Sequence, residues 1–232
     1  MTIRLVSLDM AGTTIDEGGI VYDVLESTVA QATGREGVPA EVLARWTGTD
    51  KREAIAGLLS ELGDDPGRTD DVFAEFSRRL EVAYSASAPA LFPGVAGAVR
   101  ELRANGVRVA LQTGYARDVA ESLLGAVGWS VGRDVDALVT AEDVVASRPA
   151  PYLIFRTMEA TGVYSTREVL VAGDTPNDLG AGTNSGVRYV VGVLTGAADA
   201  STLGRHEHTN ILASVAAIPA MLGEADEFPP KG

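Results

Sequence analysis

The amino-acid sequence predicts an α/β fold, in which a doubly wound parallel sheet carries an inserted α-helical cap. From residue 95 onward, short apolar runs alternate with segments of helical spacing, which is typical of parallel strands joined by crossover helices. Residues 22–84 show helical spacing alone and interrupt this pattern after the first strand. We therefore predict a core domain formed by residues 1–16 and 88–232, and a helical cap domain formed by residues 17–87.

The first strand is predicted at residues 3–8, an apolar run that ends at Asp9. A glycine-containing loop follows this strand. In the cap, apolar residues three or four positions apart mark about four helices. Turn residues separate these helices at 34–39, 48–50 and 63–68.

The second half of the chain supplies the remaining elements. Strands are predicted at residues 107–111, 137–139, 169–172 and 189–193. Helices are predicted at residues 95–103, 119–127, 152–160 and 179–185. A final unit covers residues 210–222, and the polar stretch from residue 224 is expected to be mobile.

The composition excludes several classes of protein. With 19 Lys and Arg against 32 Asp and Glu, the formal net charge is −13, which argues against nucleic acid and anionic membranes as partners. The absence of cysteine excludes disulfides, thiolate nucleophiles and zinc–thiolate sites. No stretch approaches the ~18 apolar residues of a membrane span, and the N-terminus lacks a signal-peptide pattern. We therefore expect a cytoplasmic protein that binds neither nucleic acid nor membranes.

Polar residues follow three of the predicted strands where each strand ends, namely Asp9, Thr113 and Asp174. Ligands of parallel sheets bind beyond these carboxyl ends, so the three side chains are expected to meet. Asp178 follows one helical turn after Asp174. A carboxylate at position 9 can attack phosphorus and form an aspartyl phosphate. Carboxylates here also suit Mg²⁺, which offsets the repulsion between this nucleophile and an anionic substrate.

Other residues in these loops suit the binding of a phosphoryl group. Backbone N–H groups of the loop at Gly12 and Thr13 can approach phosphoryl oxygens, and Thr113 with Gly114 can hold another. Arg148, in a loop before a helix, can neutralise charge in the transition state. Each residue also has an ordinary structural explanation, as a cap or a surface side chain. Their common place at the strand ends of one predicted sheet favours a functional site.

Four segments resemble the four motifs of the haloacid dehalogenase superfamily: LDMAGTT, QTGY, SRPAPY and VAGDTPND. The resemblance extends over nearly the whole chain, including the helical insert after the first motif. It implies a Rossmann-like core in which Asp9 is the nucleophile, and in which Thr113 and Arg148 hold the phosphoryl group. It further implies that Asp174 is a metal ligand and that Asp178 supports the metal directly or through water.

Position 11 separates this chain from most phosphatases of that superfamily, which carry a second Asp two residues after the nucleophile. Ala11 cannot transfer a proton, although its backbone carbonyl can still bind the metal. Alanine within DMAGTT resembles the phosphonatase branch, the phosphonoacetaldehyde hydrolases. In that branch a cap lysine forms a Schiff base with the substrate aldehyde. Lys51 lies close to that position, and the only other lysine is Lys231 in the C-terminal tail.

Two features of that branch are absent. Thr47 replaces its Met, and Arg52-Glu53-Ala54 stand where it has a His. Lys51 is therefore interpreted either as a Schiff-base lysine or as a residue that binds phosphate or carboxylate. We predict a Mg²⁺-dependent, phosphonatase-like hydrolase of a small phosphorylated or phosphonate metabolite. The alternatives are a phosphonoacetaldehyde hydrolase proper and a phosphoglycolate-phosphatase-like phosphomonoesterase.

Two other classes of protein share part of this pattern. A receiver-type signalling domain also uses an aspartate and magnesium, but it is much shorter and needs no helical insert. A 2-haloacid dehalogenase shares the fold without a metal, against which Asp174 and Asp178 argue. A homodimer is possible, because cap helices of the phosphonatase branch can form dimer contacts. His206 and His208 are expected in a surface loop, with no assigned role.

Overall fold

The computed structural model describes residues 2–86, 89–225 and 227–229. The strands are β1 (Leu5–Asp9), β2 (Ile15–Asp16), β3 (Ala90–Leu91), β4 (Arg108–Gln112), β5 (Ala137–Val139), β6 (Val169–Gly173), β7 (Tyr189–Val193) and β8 (Asn210–Leu212). Six of them form one sheet in the order β5-β4-β1-β6-β7-β8, in which all neighbours are parallel. The remaining two, β2 and β3, form a short antiparallel pair.

The helices of the inserted region are α1 (Ile20–Ala32), α2 (Ala40–Trp46), α3 (Lys51–Glu61) and α4 (Thr69–Ala86). The helices that follow are α5 (Val95–Ala104), α6 (Arg117–Ala126), α7 (Tyr152–Thr161), α8 (Pro176–Ser185), α9 (Ala200–Leu203) and α10 (Ile218–Glu224). The predicted fold class is confirmed, since a parallel sheet with crossover helices carries a helical insert after its first strand. The two-domain division stays a prediction, and its boundary at residues 87 and 88 lies outside the described residues.

Strand β1 lies at the centre of the sheet, with β4 on one side and β6 on the other. The direction of the chain across the sheet reverses here, because β4 and β5 extend one way while β6, β7 and β8 extend the other. Adjacent strands whose connections diverge in this way leave a crevice at their carboxyl ends, where ligands bind. The strand is buried along its whole length, which fits its continuous apolar run.

The inserted helices pack through apolar stripes, since α1 contacts α4 and α3 contacts both. Leu25 and Val29 of α1, Leu58 of α3, and Phe76 and Leu80 of α4 are buried in this small core. Their spacing of three or four residues keeps each set on one helix face. The pair of β2 and β3 flanks the insert on both sides. Sequence analysis did not anticipate it, because two-residue strands show no period.

The structure differs from two expectations about the second half of the chain. Helix α8 begins at Pro176 rather than at residue 179, because Thr175 caps it and proline suits the first helical position. The expected mobility from residue 224 is wrong at Glu227, which is buried. Its backbone carbonyl accepts a hydrogen bond from the Ile3 N–H at 2.7 Å, and its carboxylate pairs with Arg188.

One simpler expectation concerns the surface of the chain. His206 and His208 are exposed in the loop before β8, as predicted. Among the described helices, none is both long enough and apolar enough to cross a membrane.

Candidate active site

Three aspartates meet at the carboxyl ends of β1 and β6. Asp9 ends β1, Asp174 directly follows β6, and Asp178 lies in the first turn of α8. One carboxylate oxygen from each lies within 4.8 Å of the others, and all three side chains are buried. Burial raises the pKa of both Asp174 and Asp178, and the nearby charge of Asp9 acts in the same direction. A bound cation would favour the ionised forms of Asp174 and Asp178.

The surroundings of Asp174 fit a hard divalent cation. Its carboxylate accepts hydrogen bonds from the Thr13 hydroxyl at 2.8 Å and from the Ala197 N–H at 2.7 Å, which fixes its orientation. A Cβ at Gly12, where φ is +79°, would lie 2.6 Å from an oxygen of Asp174, so glycine is required there. The donor set consists of carboxylate and backbone oxygens, which Mg²⁺ prefers over nitrogen or sulfur.

The sequence from Gly173 to Asp178 explains how Asp178 is held. The Thr175 hydroxyl accepts a hydrogen bond from the Asp178 N–H at 3.2 Å, and the Asp178 carboxylate accepts one from the Thr175 N–H at 3.1 Å. This reciprocal cap satisfies free N–H groups at the start of α8. Any side chain at Gly173 would collide with Asp178. One oxygen of the Asp178 carboxylate therefore caps the N-terminus of α8, and the other oxygen is left for the site.

Arg148 reaches from the loop before α7 into this acidic centre. Its Nη2 donates to the Asp9 carboxylate at 2.7 Å, and its Nη1 lies 2.9 Å from an Asp178 oxygen. It also donates to the carbonyls of Gln112 at 3.1 Å and of Gly48, in the cap, at 3.2 Å. Burial acts to lower the pKa of Arg148, but the charges of Asp178 and Asp9 raise it above its ordinary value. The guanidinium is therefore a fixed positive charge beside the predicted nucleophile.

Thr113 and Gly114 follow β4 and so lie next to the end of β1. Thr113 is buried, and its hydroxyl accepts a hydrogen bond from the Tyr115 N–H at 3.2 Å. A Cβ at Gly114 would lie 2.6 Å from the Thr49 carbonyl, so glycine lets the cap approach the core here. Sequence analysis missed this packing role. The assignment of both residues to phosphoryl binding stays a prediction.

Lys51, the first residue of α3, faces this region from the cap and is buried. Its Nζ donates to the Thr49 carbonyl at 2.8 Å and lies 5.3 Å and 5.4 Å from the ring centres of Tyr22 and Tyr115. Burial lowers the pKa of Lys51 to about 8, and the positive charge of Arg148 acts in the same direction. The carboxylates of Asp50, Asp9 and Glu17 act in the opposite direction. The neutral fraction of this amine near neutral pH is therefore larger than that of an ordinary lysine.

A cavity of about 400 Å³ lies between cap and core beside Lys51. Lys51 and Tyr115 form part of its wall, and Phe73, Phe76 and Leu80 of α4 supply an apolar part. This volume is within the range of small-molecule sites, which is ~300–1,000 Å³. The cleft can therefore admit a small metabolite.

The loop before α3, residues 47–50, is called the cap loop here. Side chains of the core that sequence analysis missed form hydrogen bonds with it. The Ser147 hydroxyl accepts a hydrogen bond from the Asp50 N–H at 2.6 Å, and the Ser147 N–H donates to Glu53 at 3.1 Å. The Asn177 amide donates to the Thr47 carbonyl at 2.7 Å. Ser147 precedes Arg148 and Asn177 precedes Asp178 in the chain. That adjacency was the only signal available, because their partners are 97 and 130 positions away.

Comparisons with known proteins agree with this geometry. A model of the haloacid dehalogenase-like hydrolase family matches residues 3–186. The phosphonoacetaldehyde hydrolase of Paraburkholderia xenovorans is 31% identical over 205 residues, which cover 82% of this chain and 74% of that protein. A phosphonoacetaldehyde hydrolase-like protein of Syntrophobacter fumaroxidans is 31% identical over 207 residues, covering 84% and 73% of the two chains.

Solved structures share the fold at lower identity. The crystal structure of a phosphonoacetaldehyde hydrolase-like protein from Oleispira antarctica has a TM-score of 0.84 and 20% identity, covering 97% of this chain and 93% of that one. A hydrolase from Pseudomonas syringae has a TM-score of 0.81 and 21% identity, covering 97% and 99%. Because the family model spans most of the chain and includes the cap and all four motifs, we conclude that this chain is an enzyme that belongs to the haloacid dehalogenase-like hydrolases.

Proposed function

We propose that this enzyme is a Mg²⁺-dependent, phosphonatase-like hydrolase of a small phosphonate that carries a carbonyl group. The observation that carries the proposal is the buried amine of Lys51, with a pKa of about 8, which faces the acidic centre while position 11 is alanine. Relatives that are 31% and 29% identical are named phosphonoacetaldehyde hydrolases, which supports this substrate class.

Cleavage of a carbon–phosphorus bond needs an acceptor for the electron pair of that bond. The neutral amine can form such an acceptor by reacting with the carbonyl group. The Lys51 nitrogen attacks the carbonyl carbon. The carbonyl oxygen takes up the proton that the nitrogen loses and a second proton from solvent, and it leaves as water, which gives an iminium ion. Asp9 then attacks phosphorus, and the electrons of the broken carbon–phosphorus bond move into an enamine. Protonation of the enamine carbon and hydrolysis of the imine release the aldehyde and restore Lys51. Water then hydrolyses the aspartyl phosphate and releases phosphate.

This route does not require a proton donor at position 11. An alkoxide leaving group must be protonated as it departs, whereas an enamine leaves as a neutral group. Ala11 is therefore compatible with the phosphonate reaction and is a poor fit to ester hydrolysis. Arg148, 2.7 Å from Asp9, is positioned to neutralise charge on the transferring phosphoryl group. A divalent ion at Asp9, Asp174 and Asp178, when bound, supplies the positive charge that lets two anions approach.

A second candidate is a phosphomonoesterase in which Lys51 stays protonated and binds an anion. The contacts of its Nζ with the Thr49 carbonyl and with the rings of Tyr22 and Tyr115 suit an ammonium group. Ala54, one turn further along α3, is buried and apolar, so it supplies no acid or base to an imine.

Borohydride trapping with phosphonoacetaldehyde separates the two candidates. We expect reduction to leave a stable adduct on Lys51, located by mass spectrometry, and to inactivate the enzyme. Lys51→Arg keeps the charge but cannot form an imine, so it should lose turnover and yield no adduct. Lys231→Arg, which changes the only other lysine, is the matched control and should behave as the unmodified enzyme. Substantial activity in Lys51→Arg without an adduct on the natural chain would favour the phosphomonoesterase.

A further inference from the structure

The hydroxyl of Tyr22 lies beside the reacting groups and has no role in the reaction described so far. Tyr22 belongs to the first turn of α1, and its phenol oxygen accepts a hydrogen bond from the Gly48 N–H at 3.0 Å. Its ring lies against the amine of Lys51, with 5.3 Å between the ring centre and the Nζ atom. The hydroxyl is therefore held at a fixed place next to this amine.

The peptide group between Thr47 and Gly48 fixes that place relative to the core. Its N–H donates to Tyr22, and its carbonyl accepts the 2.7 Å hydrogen bond from the Asn177 amide. A Cβ at Gly48, where φ is +83°, would collide with the Thr175 hydroxyl, so glycine lets this peptide approach the start of α8. The phenol oxygen of Tyr22 therefore lies on the side of the cap that faces the acidic centre.

The Gly48 carbonyl connects the same loop to the predicted nucleophile. Arg148 donates to this carbonyl at 3.2 Å and to the Asp9 carboxylate at 2.7 Å. Tyr22 thus binds the N–H of the residue whose carbonyl contacts the arginine of the site. A substrate with phosphorus at Asp9 and its carbonyl carbon at Lys51 has its carbonyl group close to the Tyr22 hydroxyl.

The hydrogen of the Tyr22 hydroxyl is free to bind a substrate. The Gly48 N–H uses a lone pair of the phenol oxygen, and in the described part of the chain no group accepts the hydroxyl hydrogen. Burial raises the pKa of Tyr22 well above its ordinary value, and the charges of Asp174 and Asp9 act in the same direction, so the hydroxyl keeps its proton. The other phenol beside the amine, that of Tyr115, has no hydrogen-bond partner among the described residues to fix its direction.

The route described above leaves the carbonyl oxygen of the substrate without a hydrogen-bond donor. Arg148 and the predicted donors at Gly12, Thr13 and Thr113 all serve the phosphoryl group. As the Lys51 nitrogen adds to the carbonyl carbon, negative charge grows on the carbonyl oxygen. A donor that is already in place beside this oxygen lowers the barrier to the addition.

We propose that Tyr22 is a catalytic residue whose hydroxyl donates a hydrogen bond to the carbonyl oxygen of the substrate. This bond orients the carbonyl group towards Lys51 and strengthens as charge grows on the oxygen. Tyr22 gives up no proton in this role, so the proton balance of the reaction is unchanged. The inference rests on the proposed function, because it needs a substrate that carries a carbonyl group.

Two phosphonates that cannot form an imine test the contact itself. Phosphonoacetamide carries a carbonyl oxygen, whereas propylphosphonate has nearly the same shape without one. Isothermal titration calorimetry in the presence of Mg²⁺ measures the dissociation constant of each. In Tyr22→Phe that of phosphonoacetamide should rise by about 3- to 10-fold, and that of propylphosphonate by less than about 2-fold. Tyr164→Phe, at a position that is 87% exposed, is the matched control and should change neither.

The rate of imine formation tests the catalytic effect. The initial rate at which phosphonoacetaldehyde and borohydride form the adduct on Lys51 should fall by ~10-fold or more in Tyr22→Phe, because the lost bond is strongest in the transition state. Tyr164→Phe should keep the rate of the natural chain. Since Arg148 is expected to bind the phosphoryl group, unchanged binding of propylphosphonate shows that the cap loop and Arg148 are undisturbed in the variant.

Several results would overturn the proposal. An equal weakening of both phosphonates in Tyr22→Phe would mean that the hydroxyl holds the phosphonate group or the shape of the site. An unchanged dissociation constant of phosphonoacetamide, or an unchanged rate of adduct formation, would also contradict it. So would a loss of phosphonoacetamide binding in Tyr115→Phe alone. If the natural chain gives no borohydride adduct, the proposed function fails, while the two dissociation constants still show whether Tyr22 binds a carbonyl oxygen.

Discussion

Asp9 and its neighbours show how much of the chemistry depends on single charges. Arg148 contacts both Asp9 and Asp178, and all three side chains are buried. A buried charge is tolerated when each partner is paired, and removing one partner leaves the others uncompensated. Substitutions here must therefore preserve shape and hydrogen bonding if they are to report on chemistry alone.

Asp9→Asn satisfies that condition, because the amide oxygen can still accept the hydrogen bond from Arg148. We expect turnover to fall by about 10³-fold or more, since an amide is a poor nucleophile, while the cooperative unfolding transition is retained. Phosphate release and thermal unfolding monitored by circular dichroism measure the two effects. Asp23→Asn, at an exposed position in the first turn of α1, is the control and should keep full activity. A folded Asp9→Asn enzyme with more than a few per cent of activity would mean that another group attacks phosphorus.

Lys51 predicts a conflict between stability and function. Its pKa is lowered to about 8, so below that pH the folded state bears the cost of a buried ammonium group that water solvates in the unfolded state. Lys51→Met should therefore abolish turnover and yet raise the free energy of unfolding at pH 7 by about 1–3 kcal/mol. The natural chain gains stability as the pH rises from about 8 towards the ordinary lysine pKa, so this difference should shrink at about pH 10. Urea unfolding at both pH values checks the sign, and a variant that is less stable at pH 7 would contradict it.

At the scale of elements, the cap loop before α3 joins the core at several points. Ser147 binds the first turn of α3, Arg148 binds the Gly48 carbonyl, and Asn177 binds the Thr47 carbonyl. Ser147 and Arg148 precede α7, and Asn177 belongs to α8. Since Lys51 begins α3, these contacts align the amine with the acidic centre.

Asn177→Ala tests this alignment without touching the reacting groups. The variant loses hydrogen bonds of 2.7 Å and 3.3 Å to the carbonyls of Thr47 and Arg45. We expect kcat/KM to fall by about 10-fold or more, because small misplacements of reacting groups are costly. The free energy of unfolding should change by less than ~1.5 kcal/mol. Steady-state kinetics and urea unfolding give the two numbers. Asn105→Ala, which removes a 2.9 Å bond to the Glu101 carbonyl at the end of α5, is the matched control. Equal losses of kcat/KM in both variants would rule out a specific effect of the cap loop.

The sequence predicts the elements and the strand-end residues because both depend on local rules. Asp9, Thr113 and Asp174 end three apolar runs, and parallel pairing alone brings such ends together. It does not predict that Tyr84 binds Glu17 or that Asp50 binds Ser147, since these partners are 67 and 97 positions apart. Such pairs depend on how the cap packs on the core, which no local period encodes. The role of Gly114 was missed for the same reason.

At the scale of the whole molecule, the net charge of −13 makes the chain a poor host for anions. Three buried carboxylates within 4.8 Å add to this problem at the site, and Arg148 offsets only part of it. An anionic substrate therefore needs additional positive charge before it can approach Asp9. This requirement links catalysis to the stability of the folded chain, because an ion that binds only the native state also stabilises it.

Thermal unfolding with and without Mg²⁺ tests this link. At a concentration of ~100 times the dissociation constant, the ion should stabilise the native state by about 2.7 kcal/mol, which corresponds to a rise in Tm of about 5–10 °C for a chain of this size. Excess chelator should remove both this rise and the turnover. Sodium chloride at matched ionic strength is an essential control, because screening alone stabilises a chain with a charge of −13. Asp174→Asn should keep the response to sodium chloride and lose the additional response to Mg²⁺, since Asp174 is one of the three clustered carboxylates. Equal shifts with both salts, or a full Mg²⁺ response in Asp174→Asn, would place the ion elsewhere.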